Sequence, residues 1–175
     1  MHILMCNDDG ILADGLRHLA SYLSQYYRIT VVAPANEQSA KSHALTTEVP
    51  LKLDACNGED ENPRLYALTG TPSDCMKFGL SYLLTDDMPD LVISGINHGF
   101  NLGSDVLYSG TVSAAMESGF YGIPGLALSV ERYSVERGDE MHPFIHELIE
   151  KIYVAGQFSG LLNVNFPLSG TCDWD

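Results

Sequence analysis

Two adjacent aspartates, Asp8 and Asp9, follow the apolar segment His2–Cys6. Adjacent carboxylates repel each other, and the end of a strand that opens into a crevice is only partly hydrated. The pair therefore needs compensating positive charge, and a divalent cation is its simplest source. Gly10 supplies the backbone freedom for a turn that brings one or both carboxylates to a single ion. The alternative is that one aspartate caps the next helix while the other is solvated.

A glycine-rich loop follows a second apolar segment, Leu91–Ser94, and it contains Asn97 and Asn101. An asparagine oxygen is a hard, neutral ligand that suits magnesium or manganese. His98 lies in the same loop, but a lone loop histidine is more often not a metal ligand. A purely structural turn is the alternative for this segment.

Small hydroxyl residues and a glycine open a predicted helix within Tyr108–Ser113. Backbone N–H groups at such a helix start can bind a phosphate. The alternative is ordinary capping of the helix by Ser109 or Thr111. We predict that the phosphate contacts come from this helix start and the preceding loop, namely from Asn101, Ser109, Gly110 and Thr111.

The segment 36–43, which follows the second predicted strand, is polar. Ser39 offers a hydroxyl, and Lys41 or His43 could contact a phosphate, although a polar surface loop is favoured on this segment alone. Because ligands of open α/β sheets bind outside the carboxyl ends of the strands, these four loops are expected to meet at one edge. Together they contain what metal-assisted hydrolysis of a phosphate ester requires. GxSxG, a Walker lysine and a GxGxxG after the first strand are missing.

Strands and helices alternate in the pattern, which predicts a mostly parallel sheet with helices on both faces. Leu51–Leu53 and Leu65–Leu68 flank an acidic turn and predict a small β-hairpin insertion, and Thr71 with Asp74 predicts a capping box. The other expected elements are strands at 2–6, 29–33, 91–94, 126–130 and 161–166, and helices at about 15–25, 72–84, 111–120 and 141–155.

Composition narrows the class of protein. The 175 residues include 45% hydrophobic residues, enough for the core of a single domain over 1–175. With 9 basic against 23 acidic residues the net charge is −14, which disfavours binding to a nucleic-acid duplex. Cys6, Cys56, Cys75 and Cys172 lack CxxC spacing, and Cys6 and Cys75 are expected to be buried thiols. We expect no membrane span and no leader, and hence a cytoplasmic protein.

Several separated motifs, in the same order, resemble the SurE (survival protein E) family of nucleotidases and cover about residues 1–167. The matching segments are Asn7–Gly10, Val32–Pro34 with Ser39, Ser42–Thr46, Gly70–Cys75, Ser94–Asn97 with Gly99 and Asn101–Gly103, and Tyr108–Val112.

The resemblance implies a Rossmann-like, three-layer α/β/α domain that hydrolyses nucleoside 5′-monophosphates. Further substrates that it suggests are nucleoside 3′-monophosphates and short polyphosphate. It also implies one divalent metal ion, Mg²⁺ or Mn²⁺. Carried over by position, the metal ligands are Asp8, Asp9, Ser39 and Asn97, and Asp8 and Asp9 are also catalytic. The resemblance further leads us to expect that the family's usual C-terminal region is missing here. A homodimer or higher homo-oligomer would then be weakened.

Two other classes share an acidic site. A receiver-like signalling module, which binds metal without catalysis, needs a further aspartate at the end of the third strand, where this sequence has Ser94-Gly95-Ile96-Asn97. A phosphatase with an aspartyl nucleophile needs a DxD spacing, whereas Asp8 and Asp9 are adjacent.

Overall fold

Seven strands form one sheet in the computed structural model, which describes residues 1–156 and 158–167. Their order across the sheet is β3-β4-β2-β1-β5-β6-β7, and every neighbouring pair is parallel except β3 and β4. The predicted mostly parallel sheet is therefore confirmed, with β1 at its centre. The strands are β1 (His2–Cys6), β2 (Arg28–Pro34), β3 (Leu53–Ala55), β4 (Arg64–Leu68), β5 (Leu91–His98), β6 (Gly125–Val130) and β7 (Leu161–Phe166).

Helices cover both faces of this sheet, as the three-layer prediction requires. They are α1 (Asp14–Leu23), α2 (Pro72–Phe78), α3 (Gly110–Glu117) and α4 (Val135–Ile149). Leu19 of α1 and Ile145 of α4 pack into one apolar core, and Met76 of α2 and Ala114 of α3 pack into another on the opposite face. Ile3 and Leu4, which are consecutive in β1, belong to different cores because strand side chains alternate between faces.

The predicted hairpin is present, but its first strand lies at Leu53–Ala55 where Leu51–Leu53 was predicted, and the hairpin forms an edge of the main sheet. β3 pairs antiparallel with β4, and β4 also pairs in parallel with β2, so the two strands extend the sheet. The capping box at the start of α2 is also present: Thr71 accepts a hydrogen bond from the backbone N–H of Asp74, and Asp74 accepts one in return. One turn of π-helix, Gly79–Leu83, carries α2 to its predicted end.

The start of α4 differs from the prediction, which placed it at 141. The helix begins at Val135 because the Ser134 hydroxyl accepts a hydrogen bond from the backbone N–H of Arg137 at 3.2 Å. This helix tolerates Pro143 in its interior, and a π-helical turn, Glu150–Val154, follows it.

β5 extends four residues beyond its predicted end and contains a bulge. Ser94 pairs with Ala127 and Asn97 pairs with Ser129, so β5 has one more residue than β6 between these positions. Gly95 allows this path because its φ is +131° and a Cβ atom there would lie 2.3 Å from the Leu128 oxygen. Bulges redirect side chains, and this one precedes Asn97 directly.

Cys6 and Cys75 are buried free thiols, as predicted, and Cys56 is exposed. Cys172 lies outside the described residues. Within 1–156 and 158–167, no helix combines the length and the apolar character needed to cross a membrane. The cytoplasmic location stays a prediction.

Candidate metal and phosphate site

The turn that carries the two aspartates is held rigidly at the carboxyl end of β1. The Asn7 side chain accepts a hydrogen bond from the Gly10 N–H at 3.1 Å and donates one to the Gly10 oxygen at 3.0 Å. Gly10 adopts a φ of +100°, which favours glycine. The backbone N–H of Gln38 donates to the backbone carbonyl oxygen of Asp8 at 2.8 Å, so the loop after β2 is tied to this turn. These bonds fix the backbone from which Asp8 and Asp9 project.

Asp8 points at the start of α3. Its carboxylate, which is only 6% exposed, accepts a hydrogen bond from the Thr111 hydroxyl and another from the Thr111 backbone N–H. Burial raises the pKa of Asp8, and the bonds from Thr111 oppose that rise. A Cβ atom at Gly110 would lie 3.0 Å from the Asp8 Cβ, so this glycine permits the close approach. Asp8 therefore binds the first turn of α3, whereas α1 begins after Ala13 with no side-chain cap.

Asp9 lines a cleft and is half-buried. Burial and repulsion from Asp8 raise its pKa to about 6, with a smaller contribution from Glu37, while the backbone N–H of His98 opposes the rise. The surroundings therefore stabilise the charged form of the Asp9 carboxylate less well than water does. A bound cation would lower the pKa of both groups.

The cleft has a volume of about 480 Å³ and lies beside the carboxyl ends of β1, β2 and β5. Three of the four predicted metal ligands line it: Asp9, Ser39 and Asn97. Asn97 donates through Nδ2 to the Gly99 oxygen at 2.8 Å, and Oδ1 has no hydrogen-bond partner among the described residues. Ser39 is exposed and donates to Glu37 at 2.7 Å. Asp9, Ser39 and Asn97 thus lie at one edge of the sheet, as predicted from the strand ends that precede them.

The donor set suits a hard divalent cation. Two carboxylates, one hydroxyl and one amide oxygen are all oxygen ligands of the kind that Mg²⁺ and Mn²⁺ accept. Across the described part of the chain, no three His, Cys, Asp or Glu side chains are grouped to hold a metal. A cation at Asp8 and Asp9 therefore depends on the neutral oxygens of Ser39 and Asn97. His98 is exposed, and it lowers the pKa of Asp9 mainly through its backbone N–H and to a smaller extent through the charge of its side chain.

The predicted phosphate contacts at the start of α3 have several roles. The Ser109 hydroxyl accepts a hydrogen bond from the Val112 N–H at 3.1 Å, so Ser109 is the N-cap. The Thr111 hydroxyl donates a hydrogen bond to Asp8. Gly110 lies between Ser109 and Thr111 in the chain and leaves room for the Asp8 side chain. The start of α3 is therefore already close to a negative charge, because its first turn donates hydrogen bonds to the Asp8 carboxylate.

Asn101 is held by neighbouring strands and does not line the cleft. Its side chain donates to the Ser129 hydroxyl at 2.7 Å, and its backbone N–H donates to Asn165 at 2.9 Å. Its carbonyl oxygen accepts a hydrogen bond from Asn163 at 2.8 Å. These bonds give Asn101 a structural role between the β5 loop and strands β6 and β7, and a phosphate contact through it stays a prediction.

The two basic residues of the segment 36–43 lie apart from the cleft lining. The His43 ring bonds the buried Glu117 carboxylate at 2.7 Å, and Lys41 is exposed. His43 thus ties this loop to the end of α3 and does not contribute a phosphate contact in this arrangement.

Sequence reasoning assigned no role to Asn7, Asp14, Glu37 or Tyr133, although Asn7 braces the turn and the other three line the cleft. Asp14 and Glu37 carried a usable signal, because each follows a strand that ends at this edge. Tyr133 shares this signal, because it follows β6, which is parallel to β5 and ends at the same edge.

The fold and this oxygen-rich site define a Rossmann-like α/β protein with a ligand site at the switch between β1 and β5. The family model described as "Survival protein SurE" matches residues 3–175. The chain therefore belongs to the SurE family.

Named relatives support this membership. The chain is 49% identical over 168 residues to a "5'-nucleotidase SurE" from Thermoanaerobacter sp. (strain X514), covering 95% of this chain and 66% of the relative. A protein of the same name from Thermosipho africanus is 45% identical over 172 residues, covering 95% and 65%. The crystal structure of the SurE protein from Aquifex aeolicus superposes with a TM-score of 0.80 at 37% identity, covering 95% and 66%. The chain spans about two thirds of the length of the curated relatives it matches.

We expect Asp9→Asn to stabilise the metal-free protein at neutral pH. The folded-state pKa of Asp9, about 6, exceeds the ordinary value of 3.8. The folded state therefore binds the proton more tightly, and this group makes stability fall as pH rises from about 4 to 6. After discounting for partial exposure, the substitution should raise the free energy of unfolding by about 1 kcal/mol at pH 7.5. At pH 4 the gain should vanish.

Chemical denaturation of the metal-free protein at both pH values measures this difference. Asp60→Asn is the matched control, because Asp60 is exposed and lies in the acidic turn before β4. A loss of stability in Asp9→Asn at pH 7.5 would show that the carboxylate stabilises the metal-free fold, against this electrostatic account.

A second prediction separates the two asparagines of the β5 loop. Asn97→Ala removes the proposed amide ligand and should weaken Mn²⁺ binding about tenfold. Asn101→Ala removes the bond to Ser129 and should cost about 1 kcal/mol of stability, with Mn²⁺ affinity within about twofold of wild type. Mn²⁺ titration and thermal melting of both variants give the two readouts, and the reverse order of affinities would mean that the ligand is Asn101.

Proposed function

We propose that this protein is a metal-dependent phosphomonoesterase that hydrolyses nucleoside 5′-monophosphates to nucleoside and phosphate. The observation that carries the proposal is that the two adjacent aspartates have different neighbours. Asp8 bonds the first turn of α3, and Asp9 opens into the cleft with Ser39 and Asn97. An anion site and a cation site therefore lie on either side of one pair of carboxylates. The name of the relatives, 5′-nucleotidase, supports the same reaction.

In this proposal Asp8, Asp9, Ser39 and Asn97 hold one Mg²⁺ or Mn²⁺. When bound, the cation would supply charge stabilisation for the phosphoryl group, which is the main demand of a loose phosphoryl-transfer transition state. The donor set fits it, because all four groups offer oxygen and Asn97 Oδ1 has no hydrogen-bond partner in the described chain.

The chain's own groups have separate tasks. The first-turn N–H group of Gly110 would bind a phosphate oxygen, whereas the hydroxyl and the N–H of Thr111 donate to Asp8. Ser109 keeps that turn in place by capping it. Asp9 is better placed than Asp8 to orient the attacking water, because Asp9 lines the open cleft whereas Asp8 is 6% exposed and bonded to Thr111.

Nucleoside 3′-monophosphates and short polyphosphate are further proposed substrates, since the same phosphate groups would receive them. No specific observation favours the receiver-like alternative. β5 ends in Asn97-His98, so an aspartate that could accept a phosphoryl group is missing there.

A phosphate-release assay tests the function. We expect hydrolysis of AMP and other nucleoside 5′-monophosphates with Mg²⁺ or Mn²⁺, loss of activity in excess EDTA, and recovery on adding metal. Asp8→Asn and Asp9→Asn should each lower kcat at least about a hundredfold, because each removes charge from the metal site. Asp60→Asn is the control and should match wild type.

Circular dichroism would verify that the inactive variants remain folded. Full activity in EDTA, or wild-type turnover in either folded aspartate variant, would contradict the proposed mechanism.

A further inference from the structure

Tyr133 gives the cleft an aromatic wall. Most of the other lining residues are small or polar: Gly15 on α1 presents no side chain, and Asp14 and Glu37 are carboxylates, while Ile96 is the one large aliphatic residue of the lining. Tyr133 is half-buried and comes from the loop after β6, on the far side of β5 from the aspartate turn. Tyr133 packs against the core on one side and lines the cleft on the other, where its ring can contact a ligand with an apolar face.

The Tyr133 ring is fixed from behind. Its hydroxyl bonds His18 Nδ1 on α1 at 3.2 Å, and it lies so close to α4 that a Cβ atom at Gly138 would come within 2.6 Å of the hydroxyl oxygen. Burial and the nearby carboxylates Asp14 and Asp139 raise the pKa of Tyr133 to about 12, so the phenol stays neutral. A neutral, anchored ring loses little freedom when a flat ligand stacks on it.

We propose that Tyr133 is the stacking platform for the base of the nucleotide substrate. This inference rests on the proposed nucleotidase function and assigns the nucleoside end of the substrate to the part of the cleft between α1 and the β6 loop. Base–aromatic stacking is tolerant of sequence because every base has a π-face. The site would therefore accept both purine and pyrimidine nucleotides. Phosphate esters without a base could still enter it, but they would bind more weakly.

The charges around Tyr133 favour an uncharged group at this position. Asp14 and Glu37 line the same cleft and would repel a second phosphate. A ribose hydroxyl, in contrast, can donate a hydrogen bond to Asp14, because a carboxylate is an acceptor. A nucleoside monophosphate, with its single phosphate at the carboxylate pair and its neutral end towards Tyr133, fits this distribution better than a di- or triphosphate.

The volume of the cleft agrees with this occupant. About 480 Å³ lies within the roughly 300–1,000 Å³ of pockets that enclose small-molecule ligands. The metal-binding end alone would need only a fraction of that space, so the remainder is available to a sugar and a base.

Kinetics with paired substrates test the inference. AMP and ribose 5-phosphate share the phosphate and the sugar, and only AMP has a base. For wild type we expect kcat/KM to be at least about tenfold higher for AMP, and Tyr133→Leu should remove most of that preference by raising KM for AMP. Its kcat/KM for ribose 5-phosphate should stay within about twofold of wild type. Tyr133→Phe, which keeps the ring, should retain the preference.

Tyr82→Leu is the control, because Tyr82 is exposed beside α2 on the opposite face of the sheet. Calorimetric titration of wild type with AMP and ribose 5-phosphate in excess EDTA, where no hydrolysis is expected, gives the same comparison as binding constants and does not depend on the fold of a variant.

Equal wild-type affinity for the two ligands, or an unchanged preference in folded Tyr133→Leu, would overturn the role of Tyr133 while leaving phosphatase activity intact. Failure of the wild type to hydrolyse either ester would instead refute the proposed function, and a lack of AMP binding would then refute the stacking site as well.

Discussion

Two carboxylates that follow one another at the end of the central strand impose the main electrostatic constraint on this molecule. The protein resolves half of it internally: Asp8 turns to the start of α3 and accepts hydrogen bonds from Thr111. Asp9 receives much less, and its pKa rises to about 6 because it is partly buried beside Asp8. In the proposed function, a cation in the cleft balances this remaining negative charge.

The surrounding loops are organised to keep this arrangement in place. Asn7 closes the aspartate turn around Gly10, and the Gln38 N–H ties the loop after β2 to Asp8. On the other side of β1, the bulge in β5 directs Asn97 to the same edge. Three consecutive positions across the sheet, β2, β1 and β5, thus contribute Ser39, Asp9 and Asn97 to one cleft. This is the switch point of an open α/β sheet, where adjacent connections leave in opposite directions.

Local patterns were sufficient for most of the fold. Buried strands such as His2–Cys6 and the capping box of α2 depend on residues that are neighbours in the sequence, and both were predicted correctly. The sequence pattern failed where tertiary pairing decides. β5 continues past Ser94 through a bulge because β6 lies beside it, and β4 joins β2 as well as β3. Neither partner is visible in a local window.

The same distinction applies to the site. The loops that end at this edge could be identified from strand ends, and the resemblance to the SurE family selected Ser39 and Asn97 among their neighbours. Which way each aspartate points could not be predicted, because the direction depends on Thr111, about a hundred residues away in the chain. Asn101 shows the converse: its motif suggested a ligand contact, yet its hydrogen bonds go to Ser129 and Asn165.

The central claim is that a cation relieves the charge of this aspartate pair, and proton release on metal binding tests it most directly. Isothermal titration of the metal-free protein with Mn²⁺, in buffers of different protonation enthalpy, counts the protons released. At pH 6 we expect one ion per chain and about half a proton or more, because the pKa of Asp9 is about 6 and the cation displaces its proton. At pH 8 the release should approach zero. No binding, or the same proton release at both pH values, would contradict the account.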